Sequence, residues 1–269
     1  MSTSRDVDLY PKYISNLFFS PSKTLFQIGI VLKDNPSALS NILEFLEPLV
    51  NVIRIELDRN AREGNNHVIL YVESKKTSTT RSEIERAIYS SPSALTYKVQ
   101  ESHDGLLIDT MQFPIMATTG VRAIVISQDI FNGILAKIRQ KFGSGGDVII
   151  YEQGLAYGEN QGAALFSFFG KTKALESIQE LIKLYQSVGI GRPTISKFSL
   201  ENPATTIKMY DSLECQGRKT SVPYSQFIRG HICGLATVLY GRPMKVKETR
   251  CIASGDDHCE FQIEPVQLI

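Results

Sequence analysis

Tryptophan is missing from this 269-residue chain, its four cysteines form no C-x-x-C pair, and its formal net charge is only +1. Each lack excludes something. Without C-x-x-C pairs neither a thioredoxin motif nor a pair of zinc-finger knuckles is present. A charge so near zero supplies no whole-molecule field for nucleic acid or for an acidic membrane surface. No run of about 18 apolar residues and no signal-peptide pattern occurs, so the expectation is a cytoplasmic protein with reduced thiols and no membrane partner. The four histidines are scattered, and neither G-x-S-x-G, H-E-x-x-H nor a dinucleotide fingerprint appears. Gly170-Lys171-Thr172 has the look of a phosphate-loop end, but Leu165 stands where the upstream glycine belongs. A binding protein is therefore expected rather than an enzyme.

What is there is ordinary globular composition, 42% hydrophobic and 21% charged, on a chain long enough for two cores. Residues 1–23 end in an aromatic cluster, Tyr10, Tyr13, Phe18 and Phe19, too apolar to be left in water and expected to dock on a domain or, preferably, on a second subunit. From 24 to 101 the pattern runs strand, helix, strand, strand, helix, strand. LFQIGIVLK opens it, Leu39, Ile42, Leu43 and Leu46 make a helical stripe, and VNVIRIELDRN and NNHVILYVES alternate with period two. This is the order of a ferredoxin-like sandwich. Residues 102–119, punctuated by Gly105 and Pro114, read as a linker, and residues 120–269 as a second, α+β domain. Within it VRAIVIS reads as a strand, residues 128–142 as a helix capped by Ser127, the Gly143–Gly146 run as a helix end and turn, DVIIYEQG as a short buried strand, and ESIQELIKLYQSVG as a helix.

The stretch 225–263 carries the most chemistry. Ile228, Ile232, Leu235 and Leu239 form an apolar helical stripe suited to packing on a sheet, and Gly230 and Gly234, one turn apart, form a notch where another backbone approaches. Two strands follow, bearing Glu248, Cys251 and Cys259. Thiolates with a carboxylate suit zinc, which usually takes four such ligands. Glu248 and Cys251 have opposite parity on a regular strand, so both reach one ion only if the strand ends or bulges near Arg250. Two buried thiols with a solvated glutamate, or a Cys251–Cys259 disulfide, remain alternatives.

The pattern Gly230-x3-Gly234, Gly241, Glu248, Cys251, Gly255-Asp256, Cys259 and Phe261 resembles the C-terminal half of the 4-vinyl-reductase domain, a family that includes sensor domains of aromatic-responsive bacterial activators and stand-alone archaeal proteins. The resemblance implies an archaeal source, one zinc per chain held by three cysteines and a glutamate, and a buried pocket for a small hydrophobic ligand. Carried over, Glu248, Cys251 and Cys259 match three ligands, while the family's first cysteine falls at Ser225. Cys233 is carried as a candidate fourth ligand, although it lies about two turns, roughly 12 Å, further along the helix. Phe166, Phe168, Phe169, Phe198, Tyr210, Phe227 and Val246 form the pool of apolar side chains for the pocket. The N-terminal order, with the turn Asp34-Asn35-Pro36-Ser37-Ala38-Leu39, resembles the ACT domain, which implies a homodimer. Ser37 stands where amino-acid-binding members usually carry glycine, favouring dimerisation over ligand capture. The function implied is a ligand-sensing regulator working through a transcription or signalling partner protein. The alternatives are an enzyme of tetrapyrrole metabolism and a scaffold similar to vesicle-tethering subunits.

Overall fold

The computed structural model describes residues 11–14, 17–60, 64–118, 121–195, 198 and 204–266 and divides into two compact units, 1–124 and 125–269. In the first, β2 (Leu25–Lys33), α1 (Ala38–Leu46), β3 (Val50–Asn60), β4 (Asn65–Ser74), α2 (Arg81–Ser90) and β5 (Ala94–Glu101) follow the expected order. The strands form one antiparallel sheet, β3-β4-β2-β5. Phe26, Ile28 and Ile30 alternate along β2 onto the helix-covered face, where they meet Ile42, Leu46, Ile84 and Ile88. Helix α2 starts cleanly because Thr80 and Glu83 form a reciprocal capping box. The 34–39 turn is closed on itself: Asn35 Oδ1 accepts from Ser37 N at 2.9 Å, and Asp34 pairs with Arg59 at 2.8 Å. Ala38 is buried at its end and Leu39 packs on the core.

Two expectations for this unit are corrected. Residues 102–119 are not a bare linker. They contain β6 (Leu106–Ile108), which pairs with β1 (Leu17–Phe19), and β7 (Met116–Thr118), which pairs with β8 (Val121–Arg122). The aromatic segment packs on its own unit instead of waiting for another chain: Phe18 stacks on Tyr71 at 4.4 Å and Leu107 closes over the same side of the sheet. There the buried Tyr71 hydroxyl donates to Asp109 Oδ2 at 2.9 Å. Tyr13 and Phe19 are exposed, and Tyr10 lies outside the described residues.

The second unit comprises α3 (Gln128–Phe142), α4 (Ser144–Phe169), three short helices α5 (Lys171–Glu176), α6 (Ile178–Leu181) and α7 (Leu184–Ser187), then β9 (Arg192–Ile195), β10 (Thr205–Tyr210), α8 (Gln226–Tyr240), β11 (Met244–Arg250), a 3-10 turn (Ile252–Ser254) and β12 (Cys259–Pro265). Its antiparallel sheet runs β11-β12-β10-β9. Ser127 caps α3, its hydroxyl accepting from Ile130 N. The segment read as a strand, DVIIYEQG, lies inside the 26-residue helix α4. The residues read as one helix after Glu176 are broken into α6 and α7. Of the strand read at VRAIVIS only Val121–Arg122 is extended.

Why α4 is a helix is visible only in the packed molecule. Its Gly154 and Gly158 face α8, while Gly230 and Gly234 of α8 face α4. At each of the four, an added Cβ would collide with a carbonyl oxygen of the opposite helix: Phe227 O, His231 O, Tyr151 O and Leu155 O respectively. The two backbones therefore touch, and dispersion along the seam offsets a propensity loss of about 1 kcal/mol per interior glycine. His231 lies in that seam, fully buried, stacked on Tyr185 at 4.7 Å and bonded through Nε2 to Gln161 Oε1 at 2.7 Å, with Nδ1 unpartnered. Burial lowers its pKa to about 3, so the imidazole is neutral in the native state.

The seam generates two predictions. Gly158→Ala should destabilise the unit by about 1–3 kcal/mol or more in a denaturant titration, whereas Gly133→Ala, where an added Cβ meets nothing, should stabilise α3 by about 0.5–1 kcal/mol. Between the ordinary histidine pKa of about 6.5 and the native value of about 3, only the unfolded chain takes up the proton on His231. Stability present above about 6.5 should therefore be lost as the pH falls through that window, and a His231→Gln variant should show a flatter pH dependence in thermal melts.

Candidate metal centre

The site is built around the start of α8. The first N–H groups of a helix need acceptors, and here Glu214 supplies them: its Oε1 accepts from Gln226 N at 2.9 Å and its Oε2 from Ile228 N at 3.1 Å. This carboxylate is fully buried and is charge-balanced by Arg139 at 2.8 Å, which lies over the Tyr224 ring. Burial raises the Glu214 pKa, and the Arg139 bond opposes it. Because Glu214 caps the helix, Ser225 at the N-cap position makes no side-chain cap bond. Its hydroxyl turns into the unit and donates to Glu248 Oε1 at 2.7 Å, while its backbone N–H donates to Glu248 Oε2 at 3.0 Å.

Glu248 arrives from β11. The β11–β12 register shifts between Glu248 and Arg250, the irregularity that opposite parity required, and it turns Cys251 to the same side. Cys251 is then fixed by Asp256, whose Oδ2 accepts from Cys251 N at 2.8 Å, across a turn in which Gly255 holds a φ of 101° open to glycine and strained for other residues. Cys259 opens β12. Backbone N–H groups point at the sulfurs: Tyr224 N at Cys251 Sγ and Ile252 N at Cys259 Sγ, each 3.4 Å.

The fourth member is a residue the sequence reading passed over. Cys215, next to Glu214 in the irregular segment after β10, lies with its Sγ 3.6 Å from Cys251 Sγ and 2.9 Å from Ser225 Oγ. One donor atom from each of Cys215, Glu248, Cys251 and Cys259 lies within 4.8 Å of the others, and all four residues are buried. Cys233, the expected candidate, lies elsewhere: its thiol donates to Met244 O at 3.1 Å, up α8 from the cluster. The four cysteines are free, so the Cys251–Cys259 disulfide is not formed.

The donors fit zinc. A tetrahedron with Zn–S bonds of about 2.3 Å has ligand–ligand edges of roughly 3.8 Å, close to the observed Cys215–Cys251 separation of 3.6 Å. Burial pushes the Glu248 pKa up to about 8. Bonds from the Cys215 and Cys259 thiols hold the Cys251 pKa well below its ordinary value, and the same contact with Cys251 raises that of Cys215. A buried set of potential anions of this kind is balanced by a cation, and among the described residues no lysine or arginine is bonded to it.

Beside the cluster, α8 also lines a small closed cavity of about 30 Å³ with Ile182, Tyr185, Phe198, Ile207 and Ile263 opposite Ile232, Leu235 and Leu239. Of the aromatic pool only Phe198 is in its wall. Phe168 is exposed and stacks on Phe169. Phe227 packs on Phe131 and Tyr157, Tyr210 lies against His258, and Phe166 and Val246 belong to the core without reaching the cavity. Its lining is chiefly aliphatic, supplied by the α8 stripe that the sequence assigned to sheet packing.

Comparison with known proteins bears on this unit. An uncharacterized protein of Methanocaldococcus jannaschii is 29% identical over 100 residues, 36% of this chain and 61% of that protein. The phenol-responsive sensory domain of the transcription activator PoxR, solved with phenol, overlays on 54% of this chain and 77% of that chain, at 17% identity and a TM-score of 0.47. A vinyl-4-reductase family protein of Methanocaldococcus jannaschii overlays on 54% of this chain and 85% of that one, at 24% identity and a TM-score of 0.40. The family model of the vinyl-4-reductase domain matches residues 205–265, the span from β10 to β12 that holds all four donors, and this chain therefore carries a vinyl-4-reductase domain.

Proposed function

We propose that this chain is a ligand-sensing regulatory protein, not an enzyme, whose second unit holds one zinc ion on Cys215, Glu248, Cys251 and Cys259 and receives a small apolar molecule in the cavity along α8. The observation that carries the reading is the buried three-cysteine, one-glutamate cluster at one end of the helix whose middle turns line the cavity. With four protein ligands and no open position, zinc bound there would contribute folding energy and not reaction chemistry. The ligands come from the irregular segment before α8, from β11 and its continuation, and from the start of β12, so the metal ties the helix start to the sheet. A ligand acts by favouring one arrangement of α8 and the short helices α6 and α7 over another, and a partner protein of the transcription or signalling machinery reads the difference. No helix among the described residues is long and apolar enough to cross a membrane.

One observation favours a second reading, a scaffold. A volume of about 30 Å³ is one water's share of liquid volume, so the cavity is nearly filled and any aromatic ligand must open it. Phenol serves as the first probe. In the sensor reading, phenol in excess raises the thermal midpoint of the second unit as expected for a ligand bound by the native state alone, and Leu235→Trp abolishes the rise. No rise with phenol or larger aromatics supports the scaffold.

The metal assignment is tested by elemental analysis of protein purified without added zinc. About one zinc per chain is expected, with strong loss in Cys215→Ser and Cys251→Ser and full retention in Cys233→Ser. Since Ser225 Oγ lies 2.9 Å from Cys215 Sγ, the double variant Cys215→Ser/Ser225→Cys should recover the metal. Full zinc in Cys215→Ser would remove Cys215 from the site.

A further inference from the structure

Strand β3 is an edge with an unusual pattern. Among the described residues it is bonded to β4 alone, leaving its outer row of N–H and C=O groups along Val50–Asn60 without a neighbouring strand. Such a row is a template for another strand. The opposite edge, β5, presents the exposed Lys98, one of the devices that blunt an edge, whereas β3 presents apolar residues: Ile53 is 49% exposed, Ile55 40% and Leu57 53%. In register Ile55 lies opposite Leu70 and Leu57 opposite Val68, both core residues of the helix-covered face, so an apolar row continues past the edge with nothing over it. On the other face Arg54 and Glu56 stand opposite Tyr71 and Ile69 and pair with each other at 2.7 Å.

The order of these residues discriminates between occupants. Two copies of one strand, antiparallel about a two-fold axis perpendicular to the sheet, oppose residues on the same face, so the axis passes through a residue position. Centred on Arg54, arginine faces arginine; on Glu56, glutamate faces glutamate; on Leu57, Glu56 faces Asp58 twice; on Asp58, aspartate faces aspartate. Centred on Ile55, each Arg54 faces the copy's Glu56, each Ile53 faces the copy's Leu57, and Ile55 faces itself. That register places opposite charges opposite each other and keeps the apolar residues together on one face. The extra residue at the register shift between Val52 and Arg54 lies at the boundary of the paired stretch, and from there to Asn60 the strand is regular.

We propose that β3 pairs with β3 of a second copy of this chain, antiparallel and centred on Ile55, joining two four-stranded sheets into one of eight. The partner is a second copy and not a foreign strand because the sequence 53–57 is complementary to itself. Opposed Cα atoms across such a ladder lie about 4.5–5.5 Å apart, within disulfide reach. The full chain carrying Ile55→Cys, oxidised with diamide, should therefore give a covalent dimer on a non-reducing gel. Unsubstituted protein, whose cysteines are buried, provides the background. Ile53→Cys and Leu57→Cys should cross-link strongly only when mixed. By sedimentation, Arg54→Glu should weaken dimerisation about tenfold or more, and adding Glu56→Arg should restore it, a recovery that damage to the fold does not produce. A monomer at tens of micromolar, or a dimer that shows no Ile55→Cys cross-link and is indifferent to Arg54→Glu, overturns the proposal.

Discussion

The contact on which the second unit depends is backbone against backbone, where the glycines of α4 and α8 let each helix rest on the other's carbonyl oxygens. Side chains hop between rotamers, but two helices in main-chain contact along several turns have little freedom to slide or rotate. The seam therefore fixes α8, and α8 fixes the rest. Its first turn, capped by Glu214 instead of by its own Ser225, leaves the serine hydroxyl among the metal donors, and its next turns present Ile232, Leu235 and Leu239 to the cavity.

The metal cluster shows how a site can be kept while a ligand changes its place in the chain. Ser225 sits where the resemblance calls for a cysteine, and a neutral hydroxyl is a poor zinc ligand. The missing sulfur comes from Cys215, ten positions earlier, carried on the segment whose next-door Glu214 is anchored to α8 and Arg139. Ser225 then bonds both to the replacement thiol and to Glu248, the kind of supporting contact that orients ligands.

Much of the architecture was legible in the sequence and one ligand was not. The βαββαβ order, the α3 cap and the β11–β12 pair follow from periodicities of two and 3.6 that each segment shows by itself. The β11 irregularity followed from parity alone. Helix α4 was not legible because Val148 to Tyr151 is an apolar run of strand length, and glycines that weaken an isolated helix are favourable only against α8. Cys215 sits in irregular chain, where no period links it to Cys251. The aromatic pool failed except at Phe198 because residue type does not say which way a side chain faces. The cavity walls are the aliphatic residues of a stripe that looked like ordinary core.

The central claim is a centre of three sulfurs and one carboxylate oxygen, with Cys215 among the sulfurs. Zinc K-edge absorption fine structure on the purified full chain measures that directly. Three sulfur neighbours near 2.3 Å with one oxygen near 2.0 Å, falling to two sulfurs in Cys215→Ser, is the predicted result. A shell dominated by oxygen or nitrogen, or three sulfurs that persist without Cys215, would contradict it.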